Sequence, residues 1–219
     1  MADSGKPRRS DASRNDSRIL AAARTVFTEL GSDAPVSVIA ERAGVGMGTL
    51  YRRYPSKDDL MRELSLANMA ETRQAAETAL RSADSWTGLT GFLDDCIEAG
   101  VDGSPRLSGS FEVTQEILEA SRQTREAVQR LVEWAQREGT LRPDVNAHDL
   151  VLLLHTLREL RVAHRKRGSA LRQRFLGIVL DGLRAGNSTP LAAPAATWSD
   201  VERAWQEGSD KGNGTNGSP

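Results

Sequence analysis

Positions 48–53 bring Gly48, Thr49, Leu50, Tyr51, Arg52 and Arg53 into one short run: a hydroxyl with its methyl, a phenol ring and two guanidinium groups. On a helix, successive residues turn by about 100°. Met47, Leu50 and Tyr54 then fall on one side, Gly48, Thr49, Arg52 and Arg53 on the other, and Tyr51 at the flank. A guanidinium can pair with two acceptors of guanine, and a threonine methyl or tyrosine ring can touch the methyl of thymine. The chemistry these residues can do is reading base edges.

Reading requires a rigid support, and the flanking residues supply one. Upstream, Val36, Ile39, Ala40 and Ala43 form the apolar face of a short helix, and Val45 is placed to plug the core. Gly44 between them permits the left-handed backbone of a sharp turn. Pro55 cannot continue the second helix, and Ser56 can cap the next, with Asp58 and Asp59 favourable at its start. Further upstream, Ile19, Leu20, Ala23, Val26, Phe27 and Leu30 share one helical face, closed by Gly31. Two short helices bent around a glycine, backed by this first helix, make a prong of major-groove dimensions.

The chain of 219 residues has a net charge of −1 and a pI near 6.3, so overall charge does not drive it onto nucleic acid. Local placement must do so. Lys6, Arg8, Arg9, Arg14 and Arg18 outnumber Asp3, Asp11 and Asp16 at the N-terminus. Helix formers dominate residues 17–185 and period-two strand patterns are nearly absent, which predicts an all-α fold. The single cysteine, Cys96, excludes an internal disulfide. No apolar run approaches the ~20 residues of a membrane span, and the N-terminus lacks the apolar core of a signal peptide. A cytoplasmic location without membrane association is expected.

The expected organisation is a disordered basic arm over 1–14, a helix-turn-helix domain over 15–60, a helical domain over 61–186 and a flexible tail over 187–219. The fourth helix should reach about residue 81, and further helices are expected at 86–99, 110–120, 122–137, 147–166 and 170–185. The runs 150–154 and 175–180 are apolar around most of their circumference, which calls for burial on two fronts. One front is the chain's own core, and the other would be a second copy, unless these helices are simply central in a monomeric bundle.

Residues 15–64 resemble the DNA-binding domain of TetR-type transcriptional regulators. The motifs that carry the resemblance are Ile39-Ala40, Ala43-Gly44-Val45, Gly48-Thr49-Leu50-Tyr51, Tyr54 and Ser56-Lys57, with Gly139-Thr140-Leu141-Arg142-Pro143-Asp144 similar to a segment of the family's ligand domains. The resemblance implies that Gly48, Thr49, Tyr51, Arg52 and Arg53 approach DNA, joined by Met47. Lys57 matches a phosphate-contacting lysine, and Ser37 and Gly46 stand at helix N-termini where phosphates bind. It implies a homodimer on a palindromic double-stranded operator, paired through the last two helices, where Leu152, His155, Leu171, Phe175, Ile178 and Val179 are the candidate interface. It also implies a small-molecule effector in a pocket among Trp86, Phe92, Cys96, Phe111, Leu131 and Trp134.

Catalysis is not expected, because no nucleophile, metal set or acid–base pair has persuasive spacing. His148 and His155 lie seven apart without a convincing third ligand, so no metal and no cofactor are expected. A DNA-binding module that answers to a protein partner, or to nothing, is the competing reading.

Overall fold

The computed structural model describes residues 7–31, 33–99, 114–159, 165–186 and 189–210. Among them are nine helices and no strand, as the helix-forming composition predicts. Contacts divide the chain within the fourth helix. One compact unit includes the residues up to Ser65; the other comprises Leu66–Pro105 and Thr114–Trp205.

In the first unit, α1 (Pro7–Leu30) packs along α2 (Val36–Ala43), which turns into α3 (Met47–Arg53) and then the start of α4 (Lys57–Ala79). Ile19, Ala23, Val26, Ile39, Leu50, Tyr54 and Leu60 are buried at its centre. Residues 7–14 were expected to be disordered but belong to α1. They contain no glycine, and Pro7 stands at the first helical position, where its missing N–H costs nothing. Ser56 and Asp59 close the start of α4 reciprocally: Asp59 N–H donates to Ser56 Oγ at 3.0 Å, and Ser56 N–H to Asp59 Oδ2 at 3.1 Å.

The second unit packs the remainder of α4 with α5 (Ser85–Ala99), α6 (Gln115–Arg137), α7 (Ala147–Glu159), α8 (Arg165–Leu183) and the first part, to Trp205, of α9 (Trp198–Asp210). Its core runs through Leu89, Phe92, Leu93, Leu131, Val132, Leu150, Leu154 and Leu176. Residues 115–137 form one helix, where two helices meeting near Ser121 were expected. Nothing at the junction breaks the backbone, and Arg122 reaches both Glu119 and Glu126 along one face. Gly88 of α5 lies tight against its neighbours: a Cβ there would lie 2.6 Å from the Ala79 carbonyl oxygen and 3.1 Å from the Trp134 ring.

The motif at 139–144 is a clasp. Gly139 takes the left-handed conformation, with φ 67°, just beyond the α6 C-cap. Leu141 then pairs with Arg184 in an isolated antiparallel bridge. Arg142 is buried, grips both Asp144 oxygens at 2.6 and 2.9 Å, and donates to the carbonyls of Gly182 and Thr189 at 3.1 and 2.8 Å.

The tail, expected to be flexible, is fastened to the body between Thr189 and Val201. Asp149 Oδ1 accepts from Ala196 N–H at 2.9 Å, Asn146 Nδ2 donates to the Ala196 carbonyl at 2.8 Å, and Val201 of α9 is fully buried. A low-complexity stretch is held because polar side chains from the body satisfy its backbone groups.

Candidate nucleic-acid interface

The prong is built by backbone bonds that its glycines permit. Gly44 caps α2 with φ 64°, and its N–H and that of Val45 return to the carbonyls of Glu41 and Ala40, both at 3.0 Å. A side chain at Gly44 would also collide with Arg18 Nη2, 2.4 Å from the Cβ position. Gly46 is the extended N-cap of α3, and its carbonyl accepts from Thr49 and Leu50 N–H at 2.9 and 3.1 Å.

Leu50 and Tyr54 are each 1% exposed and bolt α3 to the core. Met47, expected on that inner side, is exposed and joins the outer set. Gly46, Gly48, Tyr51, Arg52 and Arg53 are also exposed, and Thr49 is half-buried. Arg52 Nη2 lies 3.4 Å from Thr49 Oγ1, one turn back on the same face. Ser37 is exposed in the first turn of α2, and Lys57 is half-buried, with its ammonium 5.9 Å from the Phe27 ring centroid. The outer face therefore holds the residues the sequence placed there.

Arg53 differs from its neighbour. Its Nε and Nη2 donate to Asp16 Oδ1 and Oδ2 at 2.8 and 2.7 Å, and its guanidinium carbon lies 5.0 Å from the Tyr54 ring centroid. Tyr54 Oη donates to Asp16 Oδ1 at 2.6 Å. Burial alone would raise the Asp16 pKa, but bonds from Arg53 and Tyr54, with the Arg53 charge, hold it below the usual carboxylate value. Burial and the bond to Asp16 push the Tyr54 phenol up, and the same carboxylate raises Arg53. Asp16 had counted in the sequence only as a charge offsetting a basic arm. No local spacing signals a partner 37 residues away.

The residues assigned to an effector pocket separate. Phe92, Cys96 and Leu131 are at most 1% exposed and belong to the core. Trp86 and Trp134 pack partly buried against it, with Arg184 stacked 4.3 Å from the Trp86 ring centroid and Trp134 Nε1 bonded to Glu138 at 2.8 Å. Phe111 lies outside the described residues. Trp134 and Phe92 each border open space, but not the same one. One groove of about 530 Å³ runs between the end of α4 and α6 beside Trp134, and another of about 480 Å³ lies against α6, α7 and Trp198. A cavity of about 20 Å³ behind Trp198 is bordered by Phe92.

On α8, Phe175 and Ile178 are 40% and 57% exposed. Leu152, Leu171 and Val179 are partly exposed, whereas His155, expected at the same interface, is buried within its own chain. Among the described residues no helix is long and apolar enough to cross a membrane, and no three His, Cys, Asp or Glu side chains gather around a metal-sized space.

A tight glycine turn, an outward-facing Thr–Tyr–Arg surface and a buried Leu50–Tyr54 base define a helix-turn-helix DNA-binding protein. Residues 19–64 match the profile of bacterial regulatory proteins of the tetR family, and residues 84–185 match that of the SbtR-like transcriptional regulator C-terminal domain. Together they span about two thirds of the sequence, and the chain belongs to the TetR family of transcriptional regulators. A TetR regulatory protein from Mycobacterium vanbaalenii is 28% identical, with a TM-score of 0.57 over 82% of this chain and 100% of that one. A TetR regulator from Streptomyces coelicolor is 27% identical, with a TM-score of 0.58 over 78% and 99% of the two chains. LfrR from Mycobacterium smegmatis, solved in complex with proflavine, has the same fold at 21% identity and a TM-score of 0.52, over 75% and 95%. No curated protein matches the chain. Members of this family are regulators of transcription, not enzymes.

Proposed function

We propose that the protein is a homodimeric repressor that grips a palindromic operator with two α3 helices and releases it when a small molecule enters the second unit. The observation that carries this reading is the exposed Tyr51–Arg52 face of α3, seated on fully buried Leu50 and Tyr54. One short recognition helix has little affinity by itself, and pairing on half-sites about one turn or a multiple apart supplies the rest. Phe175 and Ile178, large apolar side chains left open on α8, supply a surface for the second copy. Leu152, Leu171 and Val179 extend it, and His155 is not part of it.

DNA-reading heads of about residues 15–60 and a body of 61–186 divide the work, in the cytoplasm where the operator lies. α4 is a continuous helix from Lys57 to Ala79, begun in one unit and completed in the other. An effector that displaces its second half would shift the head it carries, and coupling of this kind is commonly about 1–3 kcal/mol. The fold admits a ligand in LfrR, which was solved with proflavine.

Footprinting on the chain's own upstream DNA tests the reading. A two-fold symmetric protected site is expected, and Arg52→Ala should weaken it by about 1–3 kcal/mol, the worth of one paired contact to a base. Equal protection by the variant would remove α3 as the reading helix. A protected site that no small molecule releases would favour the effector-free alternative.

A further inference from the structure

Trp198 opens α9, a segment that composition alone marks as tail, yet its indole is housed by α6 and α7. Arg125 of α6 stacks its guanidinium carbon 4.2 Å from the indole centroid, and the His148 ring at the start of α7 stands 6.1 Å away at 52°. The indole Nε1 donates to Glu202 of its own helix at 2.7 Å. That N–H is used within α9, so the ring offers its faces to α6 and α7.

The groove of about 480 Å³ and the cavity of about 20 Å³ both border Arg125, Val128, Val151 and Trp198. The indole is one of four side chains that wall both spaces. The groove already has the size that small-molecule sites have, about 300–1,000 Å³, and withdrawing the ring would enlarge it. Its inner wall combines Phe92, Val128, Leu150 and Leu154 with the hydroxyl residues Thr72, Ser121 and Thr124, and Arg125 borders both spaces.

Arg125 has the other half of the ligand's chemistry. Its Nη1 donates to Ser121 Oγ at 2.8 Å, and no described carboxylate lies within ion-pair distance; Glu126 and Glu202 act on it only through space. Burial pushes its pKa down, as for a cation short of a close counter-charge. Stacking on an aromatic face is a partial substitute for such a charge.

We propose that the space beneath Trp198 is a binding site for a planar aromatic acid, and that Trp198 is the chain's own tethered occupant of it. The ligand's ring takes the place of the indole and its carboxylate pairs with the Arg125 guanidinium. The tether holds because Thr189 is fastened by Arg142, and Ala196 by Asn146 and Asp149, upstream of the ring that must move. The proposal rests on the effector reading above for its consequence at DNA, but not for the binding itself.

A seated occupant lowers apparent affinity by the fraction of molecules in which the site is open. Calorimetric titration of the full chain with 2-naphthoate is therefore expected to give binding that tightens about tenfold or more in Trp198→Ala. Val201→Asp places a charge at a fully buried contact of α9 and should reproduce the gain with the indole still in the chain. Adding Arg125→Gln to Trp198→Ala should abolish it, and the neutral methyl ester should bind all variants weakly. Equal affinities in wild type and both single variants, or no binding by any of them, would overturn the proposal; a gain that survives loss of Arg125 would overturn the aromatic acid as its ligand. Tighter binding in Trp198→Ala without release of operator DNA would support the site and count against the effector reading alone.

Discussion

Arg53 and Asp16 meet through two bonds of 2.8 and 2.7 Å, one from Nε and one from Nη2, across the junction of α3 and α1. Of the two adjacent arginines on α3, one is thus committed to a carboxylate while Arg52 reaches the Thr49 Oγ1 hydroxyl, at 3.4 Å. The pair is half-exposed, so it contributes little stability by itself. Its consequence is for DNA: a cation already neutralised by a neighbour releases no counterion from a phosphate.

Replacing Asp16 with Asn keeps an acceptor for Tyr54 but frees the Arg53 charge. The variant should bind non-operator DNA more tightly, and the slope of log K against log salt should steepen by about 0.9 for each added phosphate contact. Anisotropy titrations at several salt concentrations measure this. The double variant with Arg53→Ala should return to the wild-type slope; if it stays steep, the added contact comes from elsewhere.

Asp16 also predicts an acid response. Its folded pKa lies below the unfolded value of about 3.9, so its contribution is complete above that value. It is lost as pH falls through the lower folded value. The stability difference between wild type and Asp16→Asn should shrink below about pH 4 and be constant from pH 5 to 7. Denaturant titrations followed by circular dichroism give that difference, and one that grows in acid would contradict the assignment.

Gly88→Ala places a methyl 2.6 Å from a backbone carbonyl that cannot rotate away. Overpacking of this kind costs about 1–3 kcal/mol. The expected result is a lower melting temperature by several degrees with DNA affinity below that temperature retained. Gly91, open to within 4 Å, is the control: alanine there should be neutral or slightly stabilising.

On the proposed pairing of two copies through α8, charges on its exposed strip should separate them. Sedimentation of Phe175→Glu with Ile178→Glu is expected to give a folded monomer that loses most operator affinity, because each head then binds alone. A dimer that survives both charges would move the interface off this strip.

Much of the first unit was legible in the sequence because its determinants are local. The 3.6-residue spacing of Ile39, Ala40 and Ala43, the Gly44 turn and the Pro55 stop fall within 17 residues, and backbone sterics translate them directly into two helices at an angle. The α5–α8 segment was legible in outline, through periodicity, but its single α6 and the roles of Trp86 and Trp134 were not. Aromatic residues on a helix look the same whether they line a space or fill a core.

By itself the sequence determined the all-α fold, the helix-turn-helix and the residues facing outward on it, since each follows from neighbours a few positions apart. Only the tertiary structure decided which arginine is occupied, that His155 is buried in its own chain and that the tail is seated. Asp16 and Arg53 are 37 residues apart, and Asp149 and Ala196 are 47. Partners at that range are chosen by how helices pack, and no periodicity along the chain records the choice.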